Sequence, residues 1–339
     1  MATPDSSQQI SSLGQLFMVG LPGVTLDDSS RRLIEEFRIN NFIYFKRNVE
    51  SPGQLKKLSD DLYKACARNN LGPPLIAIDQ EGGSVTRLAP PFTQFPDARE
   101  LAQAENPENA LSEYARVCSR ELTDIGVNYN LAPVLDVCKA GAGYFMEKRS
   151  LGDDPELVGR LGTHVIREMQ SRGIAACAKH FPGLGAAVVD PHLELPYVVK
   201  AEPDIRAQDI LPFQQSIAAG VASIMTSHTI YQYLDPENPA TLSKKILTGM
   251  LRNDLGYDGV VITDDLEMGA IEKEGDLGQA ALQAFTAGAD LLLICFSHEK
   301  VIDALGKTAR AIAGNPDLQT RMQESVRRVT VMRDTFAQR

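Results

Sequence analysis

The chain alternates short apolar runs with longer stretches that have helical spacing. The apolar runs are rich in β-branched residues and almost continuous, which is typical of parallel strands buried on both faces. Eight runs predict eight strands, at residues 16–21, 42–45, 75–79, 128–134, 174–180, 222–227, 259–264 and 290–295. The stretches between them, such as 29–37 and 155–171, predict helices, and several end at a glycine: Gly173, Gly220, Gly256 and Gly288.

Strand and helix repeated eight times predict an α/β protein, a (β/α)8 TIM barrel. We expect a single domain over 1–339, with the barrel at about 13–313 and a C-terminal helix at about 317–335. The alternative, a doubly wound open sheet, needs a glycine-rich phosphate turn that GLPG at 20–23 does not match. The last segment should be a solvated helix closing the barrel floor, with the basic residues Arg321, Arg327, Arg328, Arg333 and Arg339.

Composition excludes several classes of protein. The 34 Lys and Arg against 44 Asp and Glu give a charge of −10, which argues against a general nucleic-acid binder. No apolar run approaches the roughly 20 residues of a membrane span. The first residues lack the features of a secretion signal, and the five cysteines are widely spaced without a CxxC pair. We therefore expect a cytoplasmic protein with reduced thiols; nothing in the pattern indicates its oligomeric state.

Polar residues follow the predicted strands with unusual regularity. Asp79 ends the third run, and later runs lead to Asp136, Lys179, His180, His228, Asp264 and Asp265. A charged residue at the end of a buried strand is unfavourable unless it is paired or in use. Because the carboxyl ends of barrel strands converge on one rim, these residues predict an active site there.

The loop after the fifth strand carries a second candidate feature. Asp190 and His192 are two residues apart, so a turn could bring the carboxylate to the imidazole. Such a pair orients the ring and lets it carry a proton near neutral pH. The alternative is an Asx turn at Asp190, stiffened by Pro191, with His192 on the surface.

Several motifs of this chain match those of a known family. KHFPG at 179–183 with DPHLELP at 190–196 is similar to the signature loop of the bacterial β-N-acetylglucosaminidases of glycoside hydrolase family 3. Further matches follow the family's order along the chain: LIAIDQEGGSVTRL at 75–88, LAPVLDV at 131–137, EKRSLGDDP at 147–155, IMTSHTIYQYLDPENPATLS at 224–243 and GYDGVVITDDLEMGAI at 256–271. The resemblance covers residues 13–295 and implies the single-domain hexosaminidase type.

The resemblance implies a retaining mechanism that releases terminal β-linked GlcNAc, with peptidoglycan fragments as the implied source. Asp264 matches the family nucleophile, and His192, assisted by Asp190, matches its acid/base. The implied substrate is a carbohydrate, a GlcNAc-containing muropeptide or a chitooligosaccharide, and no metal or cofactor is implied. Matching substrate contacts are Asp79, Arg87, Arg149, Lys179 and His180; His228 lies either near the sugar or in a buried hydrogen-bonded core.

The chain departs from the family pattern in the signature loop. Leu184 and Ala186 stand where the family commonly has His and Asp, and Pro191 replaces a usual Ser. These changes remove polar groups and stiffen the loop, so loop movement, rate and aglycone preference are the properties they put in doubt.

Three other functions remain open. A metal-dependent hydrolase would use Asp79, His180, Asp190, His192 and His228 as ligands, but neither HxH after the first strand nor HExxH occurs. A non-catalytic sugar-binding protein would have no need of both Asp264 and the Asp–His pair. A phosphorylase would use phosphate in place of water, because a histidine acid/base carries no negative charge that would repel phosphate.

Overall fold

The computed structural model describes residues 12–187, 195–272 and 275–337. Eight parallel strands form one sheet in which successive barrel strands are neighbours and the last strand pairs with the first. A parallel bridge between Ile262 and Leu291 joins the two edge strands, so the sheet closes into a barrel. The strands are β1 Phe17–Gly20, β2 Asn41–Tyr44, β3 Leu75–Ile78, β4 Tyr129–Asn130, β5 Ala175–Phe181, β7 Ser223–Thr226, β9 Val260–Ile262 and β10 Leu292–Ile294.

Each barrel strand is followed along the chain by a helix. The longer helices are α1 Asp28–Phe37, α2 Pro52–Arg68, α3 Pro107–Asp124, α4 Pro155–Gln170, α5 Leu211–Ala218, a π-helix at Lys245–Asp254, α6 Leu277–Ala287, α7 His298–Ala313 and α8 Pro316–Phe336. In the described part of the chain, no helix is both long and apolar enough to cross a membrane.

Local sequence explains where the helices begin. Ser51 caps α2 by accepting from the backbone N–H of Gln54, and Pro52 occupies the first turn, where it loses no hydrogen bond. Asn315 and Pro316 start α8 in the same way. Both helices bury apolar residues in the core around the barrel, whose eight strands are almost wholly buried.

The predicted (β/α)8 barrel is confirmed, and each of the eight apolar runs overlaps a barrel strand; β2 begins one residue before its run, at Asn41, and β5 ends one residue after its run, at Phe181. The structure adds one feature without a sequence signal: strands β6 (Tyr197–Val198) and β8 (Ile230–Tyr231) pair as a small separate sheet. Two residues are too few to show a strand period, so this pairing arises from the tertiary fold.

The expectation of a solvated last helix is wrong in one respect. Helix α8 packs on β9, and Arg333 is only 3% exposed, with Nη2 donating to the side-chain oxygens of Asn40 and Asn41. Arg321 and Arg328 pair with the buried Asp290. Arg321 and Arg328 turn inward because the buried carboxylate of Asp290 lies beneath this helix; Arg327, by contrast, is half exposed.

Candidate active site

A cavity of about 230 Å³ opens at the carboxyl ends of the barrel strands. Asp79, Arg87, Asp264 and Asp265 contribute its polar wall. Its apolar wall includes Phe45, Leu131, Met225, Leu293 and Phe296. A concave site with few polar groups on an apolar lining is typical of small-molecule binding, and the rim of strand ends is where the sequence predicts the active site.

Asp79 is held at the cavity wall by two cations. Its Oδ2 accepts from Arg87 Nη2 at 2.9 Å, and its Oδ1 accepts from Lys179 Nζ at 2.9 Å. Burial by itself raises the pKa of Asp79, but Lys179 and Arg87 outweigh it and hold the pKa well below the usual range. Asp79 is therefore an ionised, fixed acceptor facing the cavity.

Glu81 extends this ion-pair network behind the wall. Arg149 donates to both of its carboxylate oxygens, at 2.9 and 2.8 Å, and Lys179 Nζ lies 2.6 Å from Oε1. Burial raises the pKa of Glu81, and the cations Arg149 and Lys179 overcome this and lower it to about 2. Glu81 thus remains charged and positions Lys179, which in turn orients Asp79.

Asp264 lies two residues beyond β9 and lines the same cavity as Asp79 and Arg87. Its Oδ1 accepts from the backbone N–H of Asp265 at 2.9 Å. A carboxylate placed next to a buried strand is held more rigidly than one on a long loop, which suits an attacking group.

Asp265 has a different role from its neighbour. Its Oδ1 accepts from the backbone N–H groups of Glu267 at 3.0 Å and of Cys295 at 3.3 Å, so it ties the β9 loop to the β10 loop. Burial raises the pKa of Asp265 to about 7 despite these hydrogen bonds, with Glu267 and Asp264 adding to the rise. The sequence gives no signal for this shift, because it depends on burial.

His180 is oriented by Asp136. Its Nδ1 lies 2.7 Å from Oδ2 of the fully buried Asp136, whose Oδ1 accepts from the N–H groups of His180 at 3.2 Å and Leu184 at 2.6 Å. Asp136 thereby joins the end of β4, the end of β5 and the base of the signature loop. The side chain of Leu184 is buried, so its replacement of a family polar residue extends the core.

The predicted acid/base pair cannot be placed. Asp190, His192 and Pro191 lie outside the described residues, so their positions stay predictions. The described part of the signature loop ends at Ala187. Within it, Gly185 packs so closely on Val137 that a Cβ on Gly185 would lie 2.0 Å from the Val137 carbonyl oxygen. The loop therefore starts from a rigid base.

His228 is fully buried. Its Nδ1 lies 2.7 Å from Thr241 Oγ1 and its Nε2 lies 2.9 Å from the carbonyl oxygen of Asp265. This geometry favours the buried hydrogen-bonded interpretation, in which His228 supports the Asp265 backbone from below.

The structure brings the predicted residues together in two layers. Asp79, Arg87 and Asp264 line the cavity, whereas Arg149, Lys179 and His180 are not among its lining residues; Lys179 bonds the lining residue Asp79, Arg149 bonds Glu81, and His180 bonds Asp136. Within residues 12–187, 195–272 and 275–337, His, Cys, Asp and Glu do not form a group of three or more suited to a metal ion.

Comparison with known proteins identifies the family. The sequence profile of the glycosyl hydrolase family 3 N-terminal domain matches residues 11–332. The chain belongs to glycoside hydrolase family 3. It is 38% identical over 302 residues to a β-hexosaminidase of Thioalkalivibrio sulfidiphilus, covering 87% of this chain and 85% of that protein. An uncharacterized secreted glycosyl hydrolase of Arthroderma benhamiae is 35% identical, covering 96% of this chain and 93% of that one.

Solved family 3 structures agree with the fold. A β-N-acetylglucosaminidase from Paenibacillus sp. str. FPU-7 superposes with a TM-score of 0.92 and 39% identity over 96% of this chain. This chain spans 62% of the Paenibacillus protein. The predicted family membership and enzyme class, a glycoside hydrolase, are confirmed.

Proposed function

We propose that this family 3 protein is a retaining β-N-acetylglucosaminidase that removes terminal β-linked GlcNAc with Asp264 as its nucleophile. The observation that carries the proposal is the shared cavity, in which Asp264 and the Asp79–Arg87 pair line one small space at the barrel rim. The names of the β-hexosaminidase and β-N-acetylglucosaminidase relatives support the choice of sugar.

The reaction proceeds by double displacement. The Asp264 carboxylate attacks the anomeric carbon as the bond to the aglycone oxygen breaks, and a covalent glycosyl-enzyme forms. Water then attacks the same carbon and releases Asp264. Asp79 accepts from sugar hydroxyls, while Arg87 donates to them; this paired arrangement fixes the ring so that its anomeric carbon faces the nucleophile.

Proton transfer is assigned to the signature loop. His192, oriented by Asp190, protonates the departing oxygen in the first step and takes a proton from water in the second. A histidine with a pKa near neutrality serves both steps at one pH. This assignment rests on the family resemblance and on the His–Asp chemistry of the sequence.

Two nitrophenyl glycosides test the proposal. Wild type should release nitrophenol from the β-N-acetylglucosaminide and leave the β-glucoside intact, while Asp264→Asn should lose activity by about 10⁴-fold or more, because the nucleophile is gone. Asp303→Asn, which changes an exposed carboxylate of α7, is the matched control and should act as wild type. Cleavage of the glucoside at an equal rate, or an active Asp264→Asn enzyme, contradicts the proposal.

Phosphate distinguishes hydrolysis from phosphorolysis. The proposal expects free GlcNAc as the product whether or not phosphate is added. Appearance of GlcNAc 1-phosphate, with a rate that rises with phosphate, would establish the phosphorylase alternative instead.

Compartment and natural source are part of the proposal. All five cysteines are buried thiols, as a reducing cytoplasm permits, and the family resemblance makes peptidoglycan fragments the source of substrate. Cell fractionation that recovers the protein outside the cytoplasm would overturn the assignment of compartment. A deletion strain that does not accumulate GlcNAc-bearing muropeptides would overturn the assignment of substrate source.

A further inference from the structure

An aromatic platform stands at the mouth of the cavity. Phe45 follows β2, and Phe296 follows β10; both line the cavity, and their rings stack with centroids 5.9 Å apart and planes inclined by 28°. Phe296 is 64% exposed. Together the two rings form an exposed apolar surface next to the polar wall of the cavity, which is the kind of patch that marks a binding site.

Arg47 holds the two rings together. Its guanidinium carbon lies 4.6 Å from both ring centroids, its Nε donates to the Leu21 carbonyl oxygen at 2.8 Å, and its Nη2 donates to the Cys295 carbonyl oxygen. Arg47 therefore ties together the ends of β2, β1 and β10. Such cation–π contacts favour one ring position over others.

The end of β1 is shaped to let this arginine pass. A Cβ at Gly20 would lie 1.9 Å from the Cys295 carbonyl oxygen and 2.6 Å from Arg47 Nη2. Only glycine leaves the space that Arg47 needs to cross the end of this strand.

The backbone of the platform is fixed by the nucleophile's own loop. Glu267 accepts from the N–H of Phe296 at 2.5 Å and from that of Ser297 at 3.2 Å. Since Glu267 is three residues beyond Asp264, the distance between platform and nucleophile is set by a short, hydrogen-bonded segment. An exposed ring that is fixed in this way is preorganised for a partner.

We propose that Phe296, backed by Phe45 and Arg47, is the aglycone subsite and takes the apolar face of the pyranose chair bonded to the departing GlcNAc, such as the second sugar of a chitooligosaccharide. This inference rests on the proposed function. A chair with equatorial substituents presents a flat face of axial C–H groups, which fits an aromatic ring.

Substrates that differ only in the aglycone test the platform. Phe296→Ala should lower kcat/KM for diacetylchitobiose by about tenfold, the size of an aromatic contact, and Phe296→Trp should stay within about twofold of wild type. GlcNAc β-fluoride, which has no aglycone ring, should be cleaved by all three proteins at rates within about twofold. Tyr233→Ala, at another exposed aromatic that does not line the cavity, is the matched control and should change neither substrate.

The outcomes separate the two proposals. If Phe296→Ala slows the fluoride as much as chitobiose, or slows neither, the platform is not an aglycone subsite. If wild type cleaves neither chitobiose nor the fluoride, the proposed function itself fails, and the platform proposal with it.

Discussion

Both ends of the barrel contain buried charges, and the two clusters are built differently. At the carboxyl end, Asp79 and Glu81 share Lys179, and each has an arginine of its own. At the amino end, the single carboxylate of Asp290 accepts from three arginines: Arg252, Arg321 and Arg328.

Access to the cavity separates the two clusters. The side chains of Asp79 and Arg87 are 14% and 25% exposed and line the cavity, whereas Asp290 has no exposed surface. Ion pairs of the same chemistry therefore have two different roles. The upper cluster, at the carboxyl end, presents a charged acceptor to a ligand, and the lower cluster, at the amino end, holds α8 beneath β10. Such a division between a functional upper face and a stabilising lower face suits the barrel fold.

Replacing Asp79 should break catalysis and spare the fold. Asp79→Asn should lower kcat/KM by about a hundredfold, the worth of one or two charge-assisted hydrogen bonds to sugar hydroxyls. Lys179 keeps Glu81 as a partner, so Tm should fall by only a few degrees. Steady-state kinetics with thermal unfolding checks both; an unchanged kcat/KM would remove Asp79 from the binding site.

Replacing Asp290 should have the opposite effect. Asp290→Asn removes the buried anion between three arginines, of which Arg328 keeps Asp258 as a second partner, so the free energy of unfolding should fall by about 3–5 kcal/mol. Well below its unfolding temperature, the variant should keep kcat/KM within about twofold of wild type, because Asp290 is remote from the cavity. Denaturant titration and kinetics on the same preparation test this. A selective loss of activity in a stable variant would contradict the comparison.

The barrel and the identity of the polar residues at its rim follow from the sequence. Buried parallel strands leave long apolar runs, and Asp79 and Asp264 stand out because each ends such a run. The ion-pair partners of the buried carboxylates cannot be predicted from the sequence. Glu81 meets Arg149 and Lys179, which are 68 and 98 residues away along the chain, only through tertiary packing. The roles of Arg321 and Phe296 are likewise not predictable from the sequence, because the residues around them follow the pattern of ordinary surface positions.

Acid should weaken the upper cluster in a defined range of pH. The pKa of Glu81 falls from 4.5 to about 2 on folding, so the native state binds this proton less readily than the unfolded chain. Its stabilising contribution is complete above pH 4.5 and is lost as the pH falls toward 2. The loss of unfolding free energy between pH 6 and pH 3 should therefore be smaller in Glu81→Gln than in wild type. Glu105→Gln, at an exposed position, should keep the wild-type loss; an equal loss in all three proteins would contradict the assignment.

Asp265 should show the reverse sign. Its pKa rises from 3.8 to about 7 on folding, so the native state holds the proton and loses stability as the pH rises from about 4 through 7. Asp265→Asn keeps an oxygen acceptor without the charge. It should raise Tm at pH 8 and leave it nearly unchanged at pH 5. A difference from wild type that is the same at both pH values would show that Asp265 carries no buried charge.

The most direct test of the central claim is to trap the covalent intermediate. A 5-fluoro-GlcNAc derivative with a good leaving group slows the second displacement, so the glycosyl-enzyme accumulates and can be digested and read by mass spectrometry. We expect the sugar mass on the peptide that contains Asp264, on the Asp264 carboxylate. Attachment to Asp79 or Asp265, or rapid turnover that leaves no adduct on any carboxylate, would contradict the account.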